Sequence, residues 1–260
     1  MKFLVICGVT VTLLVTFVEG LVSSDVAPES FVINGANRTD SPHHVLVEFF
    51  NAQQLGFFGG GSIITSTHIL TAAQNVHGFV LWRVGYGSHF RDQLTWMYSN
   101  SAFAHHQYAP QTRNNDIAMI VLPIPLVFTT HVRPIALPPS DFLMPYENEQ
   151  GTIKGFGFTS AGVNQPSDTL RYGYVRVQAD AFCLSIFHIV APNHFCASDN
   201  RVPVNICNGD IGGGFTVHYR GEETLVGINS ILIENCYIQW PSAYTRVTHY
   251  LSWIHLVIGV

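Results

Sequence analysis

The chain holds thirteen histidines, one more than its lysines and arginines together, and five cysteines: Cys7, Cys183, Cys196, Cys207 and Cys236. An imidazole can take up a proton near neutral pH or ligate a metal. The pairs His43-His44 and His105-His106 invite a metal reading, but neighbouring residues on a strand point to opposite faces and make poor joint ligands. They read as solvated loop histidines, and no metal or cofactor is expected. Together the histidines predict a surface whose positive charge grows as pH falls through about 6.5. Asn37-Arg38-Thr39 is an N-glycosylation sequon, with Asn37 as the acceptor.

The segments that must hold these groups begin with a leader. Met1 and Lys2 precede a mostly apolar run over 3–18, and Val18-Glu19-Gly20 ends on small residues. This predicts a signal peptide over 1–20, too short for a comfortable membrane span, and hence a secreted, extracellular protein with no membrane span in the mature chain. Cys7 leaves with the leader, and four cysteines in an oxidising compartment predict two disulfides. Of the 260 residues, 47% are hydrophobic and 11% charged, and the net charge is -5. That excludes intrinsic disorder and leaves no basic surplus for nucleic acid.

After a polar segment over 21–31, short apolar runs broken by turn residues follow at 45–50, 62–65, 69–73, 81–84, 117–122, 152–158, 173–177, 215–217 and 225–233. Many short strands at close spacing predict a sandwich or barrel. Only the tail shows a helical period, with Val247, Tyr250, Leu251, Ile254, Val257 and Ile258 at three- and four-residue steps. The proline-rich stretch 136–151 is the expected linker between two β halves.

Three segments occur in fixed order: Gly60-Gly61-Ser62-Ile63-Ile64 with Ile69-Leu70-Thr71-Ala72-Ala73-Gln74-Asn75, then Asn115-Asp116-Ile117-Ala118, then Cys207-Asn208-Gly209-Asp210-Ile211-Gly212-Gly213-Gly214. With these the sequence resembles the chymotrypsin-like family of secreted serine proteases over nearly all of 32–260, including Pro241-Ser242-Ala243-Tyr244 and Tyr250-Leu251-Ser252-Trp253. The resemblance implies two six-stranded antiparallel β-barrels, one over about 32–140 and one over about 150–246, and a C-terminal α-helix over about 247–258. It also implies the disulfides Cys183 with Cys196 and Cys207 with Cys236.

The family's mechanism needs a serine nucleophile, a histidine base and an orienting aspartate. Those places are held here by Ile211, Gln74 and Asp116, so only the carboxylate is kept. Isoleucine has no nucleophilic atom, and an amide is no useful base near neutral pH. Loss of either group alone costs on the order of a millionfold in turnover. His77, His105 and His106 are the nearest stand-ins for the base, yet they would face no serine. The oxyanion-hole places are Gly209 and Ile211.

Other places depart as well. The family's third bridge would join the positions of Gly59 and Asn75, which would release the loop carrying Gln74 from its staple. The base of the specificity pocket is Asn205 and its walls are Leu232 and Ser242, so a projecting leucine should obstruct a large side chain. A loop that binds calcium in some members, here 85–100, contains one acid, Asp92, which is too few for a hard cation. In active relatives a cut frees an amine at the place of Val32, which pairs with the place of Asp210. Phe31 precedes that place, so either a chymotrypsin-like cut occurs there or the prosegment 21–31 stays attached.

The resulting expectation is a catalytically inactive serine protease homologue that binds extracellular proteins: a protease, an inhibitor or a cascade component. The rival expectation is a serine-type endopeptidase with residual or rescued activity. A third is a storage secretion without a specific partner.

Overall fold

The computed structural model describes residues 36–37, 41–142, 147–160, 163–188, 193–199, 204–233, 236 and 240–259. The expected signal peptide, the prosegment and Val32 lie outside the described residues.

Alternation of apolar and small or polar residues builds the first barrel. After β1 (Ala36–Asn37), which pairs with the second barrel, its strands are β2 (His44–Phe50), β3 (Gly56–Ile63), β4 (His68–Thr71), β5 (Leu81–Tyr86), β6 (Thr95–Ser99), β7 (Ser101–Ala104) and β8 (Ala118–Val121). The hydrogen-bonded order is β6-β5-β2-β3-β4-β8-β7. One residue, Asn100, separates β6 from β7, so the two run as one bent strand and the sheet returns on itself with six strands. Val45, Val47 and Phe49 face its interior with Ile63, Ile69, Trp82, Val84 and Ile120.

The second barrel uses β9 (Gln150–Gly155), β12 (Arg171–Val177), β13 (His194–Ser198), β14 (Gly214–Tyr219), β15 (Glu222–Ile231) and β16 (Ser242–Arg246), with a hairpin of β10 (Phe158–Ser160) and β11 (Val163–Pro166) at its side. The order is β1-β12-β13-β16-β15-β14-β9, and β9 also pairs with β12. That last pairing closes six strands into a ring, with β1 added through Ala36↔Tyr172 and Asn37↔Arg171. Phe195, Phe215 and Tyr244 pack at centroid distances of 4.9–5.3 Å at its centre.

A third cluster joins the barrels. Leu70 and Met119 point away from the first interior and meet Leu225 and Ile228 of β15, together with Val247, Leu251 and Ile254. Strands buried on both faces read as continuous apolar runs, which is why 69–73 and 117–122 stand out in the sequence without alternation.

Several sequence expectations need correcting. The run at 69–73 ends as a strand at Thr71 and turns into a 3-10 helix at Ala73–Asn75. The C-terminal helix is α2 (Leu251–Ile258), preceded by a 3-10 turn at Val247–Tyr250. It is not the only helix: α1 (Asp180–Phe187) buries one side chain, Cys183, so it has too little apolar periodicity to announce itself. The two disulfides are Cys183–Cys196 and Cys207–Cys236, the pairing the resemblance implied.

Three of the four paired histidines are not solvated, and only His106 matches that expectation. His43, His44 and His105 are buried, while His106 is exposed and stacks on His105 at 4.6 Å. Burial, aided by the charge of Lys154, pushes His44 down to about 3, and burial pushes His194 down to about 4. These rings stay neutral over most of the range in which a surface histidine would charge. Lys154 is buried too, pairing with Glu223 and lying 3.2 Å from His43. The variable positive charge of the surface is therefore smaller than the histidine count implies.

Candidate functional site

The site forms where the 3-10 turn after β4, the segment before β8, the turn before β14 and the end of β15 converge. Asp116 is fully buried. Burial pushes its carboxyl up, against which the Ser230 hydroxyl, the backbone and side chain of Gln74 and, last, the charge of Arg113 pull it down. The Ser230 hydroxyl donates to Oδ2 at 2.6 Å and the Gln74 amide N–H to Oδ1 at 2.9 Å. The Gln74 carboxamide adds a third bond, Nε2 to Oδ2 at 2.5 Å. Its Nε2 also donates to the Ser230 carbonyl at 2.8 Å. Both amide protons of Gln74 are thereby committed, one to a carboxylate and one to a strand carbonyl.

Ile211 sits across the same cavity, of about 210 Å³, which is also lined by Gln74, Arg113, Asn208, Ser230 and Leu232. No histidine lines it. His77 is exposed and packs edge-on against Tyr108 at 5.7 Å, and His105 packs against Tyr250 and Trp253. None of the three candidate stand-ins is brought to the Asp116 carboxylate. The lining of this cavity thus offers no imidazole, thiol or lysine amine, and its one hydroxyl, Ser230, is spent on Asp116.

The turn that carries Ile211 is tightly built. Gly212 has φ +89, and a Cβ there would lie 2.2 Å from Thr71 Oγ1 and 2.4 Å from the Gly60 carbonyl, so only glycine fits. The Ile211 carbonyl accepts from the Gly60 N–H at 2.7 Å and from Asn75 Nδ2 at 2.8 Å. Asn75 Nδ2 also donates to Thr71 Oγ1 at 3.1 Å. The loop carrying Gln74 is therefore not released by the absent bridge between Gly59 and Asn75. A buried carboxamide fills the space beside the side-chain-free Gly59 and ties that loop to the turn.

Below the turn lies Asp210, wholly buried. Its carboxylate accepts from the Gly157 N–H at 2.7 Å and the Cys207 N–H at 2.9 Å. Burial pushes it up to about 7 despite those two bonds, because no cation lies close enough among the described residues to offset the loss of water.

The expected pocket residues come together at one end. Asn205 Oδ1 accepts from the Ser242 hydroxyl at 2.6 Å and from the Ile206 N–H at 2.9 Å, and its Nδ2 donates to the Trp240 carbonyl at 2.9 Å. Leu232 packs against Phe158 and the Cys207–Cys236 bridge. Asn205 is thus satisfied within the protein, and a leucine occupies the wall.

Sequence reasoning missed Arg113. It follows a loop without regularity, and its φ of +57 is uncommon for a side-chain-bearing residue. Nothing in its spacing points to the cavity it lines.

Residues 32–254 match the Trypsin family. A brachyurin of Leptuca pugilator is 32% identical over 212 residues, covering 78% of this chain and 89% of that protein. A chymotrypsin of Phaedon cochleariae is 28% identical over 248 residues, covering 92% and 86%. Among solved structures, a protein titled HL collagenase aligns with TM-score 0.79 and 27% identity over 88% of this chain and 99% of its own.

Proposed function

We propose that this chain, which belongs to the trypsin family, is a secreted non-catalytic homologue whose work is the binding of another protein. The observation that carries the reading is the Gln74 carboxamide, bonded to Asp116 and to the Ser230 carbonyl, opposite Ile211 in one cavity. In the family's mechanism the first place needs a base and the second a nucleophile. An amide with both protons donated and a branched hydrocarbon supply neither.

The surrounding scaffold supports a binding role over simple decay. The Asp116–Ser230 bond, the Asp210 turn and both disulfides hold the centre together. A protein with a well-packed cleft and no chemistry retains a shaped surface, and function then lies in what that surface recognises. The leader over 1–20 supports secretion, and Asn37 in β1 would then be a glycosylation acceptor. The partner is an extracellular protein, whether protease, inhibitor or cascade component.

The rival reading, a serine-type endopeptidase, draws on the relatives, which are named as proteases, and on the retained Asp116. A fluorophosphonate probe separates the two. Purified protein is expected to remain unlabelled under conditions that label an active relative to completion, and stoichiometric covalent labelling would overturn the non-catalytic reading.

A further inference from the structure

We infer that the cavity is a subsite for an acidic side chain, Asp or Glu, carried on an extended segment of the partner protein and paired with Arg113. This rests on the reading of the chain as a non-catalytic protein binder and names what its cleft selects.

Arg113 is the one ionisable residue of the lining. Nη1 of its guanidinium donates to the Tyr108 hydroxyl at 2.7 Å, which fixes the group at the rim. Among the described residues no carboxylate lies within ion-pair distance of it, and its charge acts on buried Asp116 from beyond that distance. The carboxylate behind the cavity, Asp116, is buried and already accepts from Ser230 and twice from Gln74. A guanidinium tethered by a neutral hydroxyl still has donors for a carboxylate, which it can meet with two parallel bonds.

The segment carrying Arg113 is held in place. Asn115 Nδ2 donates to the Gln107 carbonyl at 2.8 Å, and the Tyr250 hydroxyl donates to Asn115 Oδ1 at 2.9 Å. Ala109 N–H donates to the Asn114 carbonyl at 3.0 Å. Such fixing lowers the ordering cost of binding.

The remaining walls favour a peptide over a free small anion. Ile211, Ile231 and Leu232 are each partly buried and offer apolar surface for the flanking aliphatic groups of a chain. The volume of about 210 Å³ lies below the roughly 300–1,000 Å³ of a small-molecule site. It accommodates a side chain rather than a whole cofactor. The net charge of -5 argues against a phosphate backbone as the source of the anion.

The test is a positional-scanning library of peptides capped by acetyl and amide groups, panned on the full mature chain. At one position Asp or Glu is expected to be favoured about tenfold over Asn or Gln, equivalent to about 1.4 kcal/mol. That preference should vanish in Arg113→Gln, persist in part in Arg113→Lys, and weaken with added salt. Melting temperatures within a few degrees of wild type show that both variants are folded. The inference is overturned by a library without acidic preference, by a preference unchanged in Arg113→Gln, or by capture that appears only in a parallel library with free C-terminal carboxylates. Mass spectrometry of the captured peptides keeps the two readings apart. Cut peptides that retain the acidic preference would refute the non-catalytic reading alone, and intact peptides without it would refute the Arg113 subsite alone.

Discussion

Asn75→Ala isolates the contact that ties the loop carrying Gln74 to the Ile211 turn. Asn75 is 2% exposed, and its Nδ2 bonds to the Ile211 carbonyl and to Thr71 Oγ1. Each lost bond costs about 1 kcal/mol. The vacated carboxamide space, which Gly59 cannot fill, adds about another 1 kcal/mol. The expected loss is therefore ~2–3 kcal/mol, which lowers the melting temperature of a domain this size by roughly 5–10 °C. Differential scanning calorimetry reads that shift, and hydrogen exchange reads its location. The Gly60 amide, bonded to the Ile211 carbonyl, should exchange faster than in wild type, while amides of β12 and β13 keep their rank. A second variant checks the geometry. A Cβ on Gly59 would stand 3.2 Å from Asn75 Cγ but 2.5 Å from the Ile211 carbonyl, so a Gly59→Cys, Asn75→Cys pair can bridge if that carbonyl yields slightly. Closure of so short a loop contributes about 3 kcal/mol, and the oxidised double variant should melt well above its reduced form. A melting temperature for Asn75→Ala within a degree of wild type would refute the view that Asn75 holds this turn.

Two further outcomes follow from the same geometry. Ile211→Ser and Gln74→His should each leave hydrolysis of an activated ester at background, and the combined variant should exceed both by far more than the product of their effects, since nucleophile and base act as a unit; equal rates in all three would show that the scaffold around Asp116 no longer supports catalysis. The pH dependence of stability should carry two opposing contributions. His44 and His194, held near 3 and 4, bind fewer protons folded than unfolded, so their contribution is present above about 6.5 and is lost as pH falls below it. Asp210, pushed up to about 7, binds more protons folded, so its contribution is present below about 4 and is lost as pH rises through 7. Urea midpoints between pH 4 and 7 should rise more steeply with pH in Asp210→Asn and less steeply in His194→Gln, and unchanged slopes would contradict both assignments.

The ordered motifs around Gln74, Asp116 and Ile211 are local strings, so their family and their missing functional groups can be read without coordinates. The cysteine count, with Cys7 set aside in the expected leader, anticipates two bridges for the same reason, although the pairing needed the resemblance. Strands with clean apolar runs were equally visible. The glycine-rich part of β3 was not, because it depends on close packing against distant chain: a Cβ on Gly60 would lie 2.8 Å from Gly213 Cα. Nor was α1, whose apolar residues follow no helical period and which buries only Cys183.

Order along the chain determined the β-rich class and placed Gln74, Asn75 and Ile211 within the motifs that carry the resemblance. Only the tertiary structure decided what those residues bond to. The Gln74 carboxamide spans Asp116 and Ser230, Asn75 ties the loop of the lost bridge to Ile211, four of the histidines are buried, and Arg113 stands in the cleft. The bonds of Gln74 and Asn75 join side chains to partners 42 to 156 residues away, where spacing carries no information and only packing brings donor to acceptor.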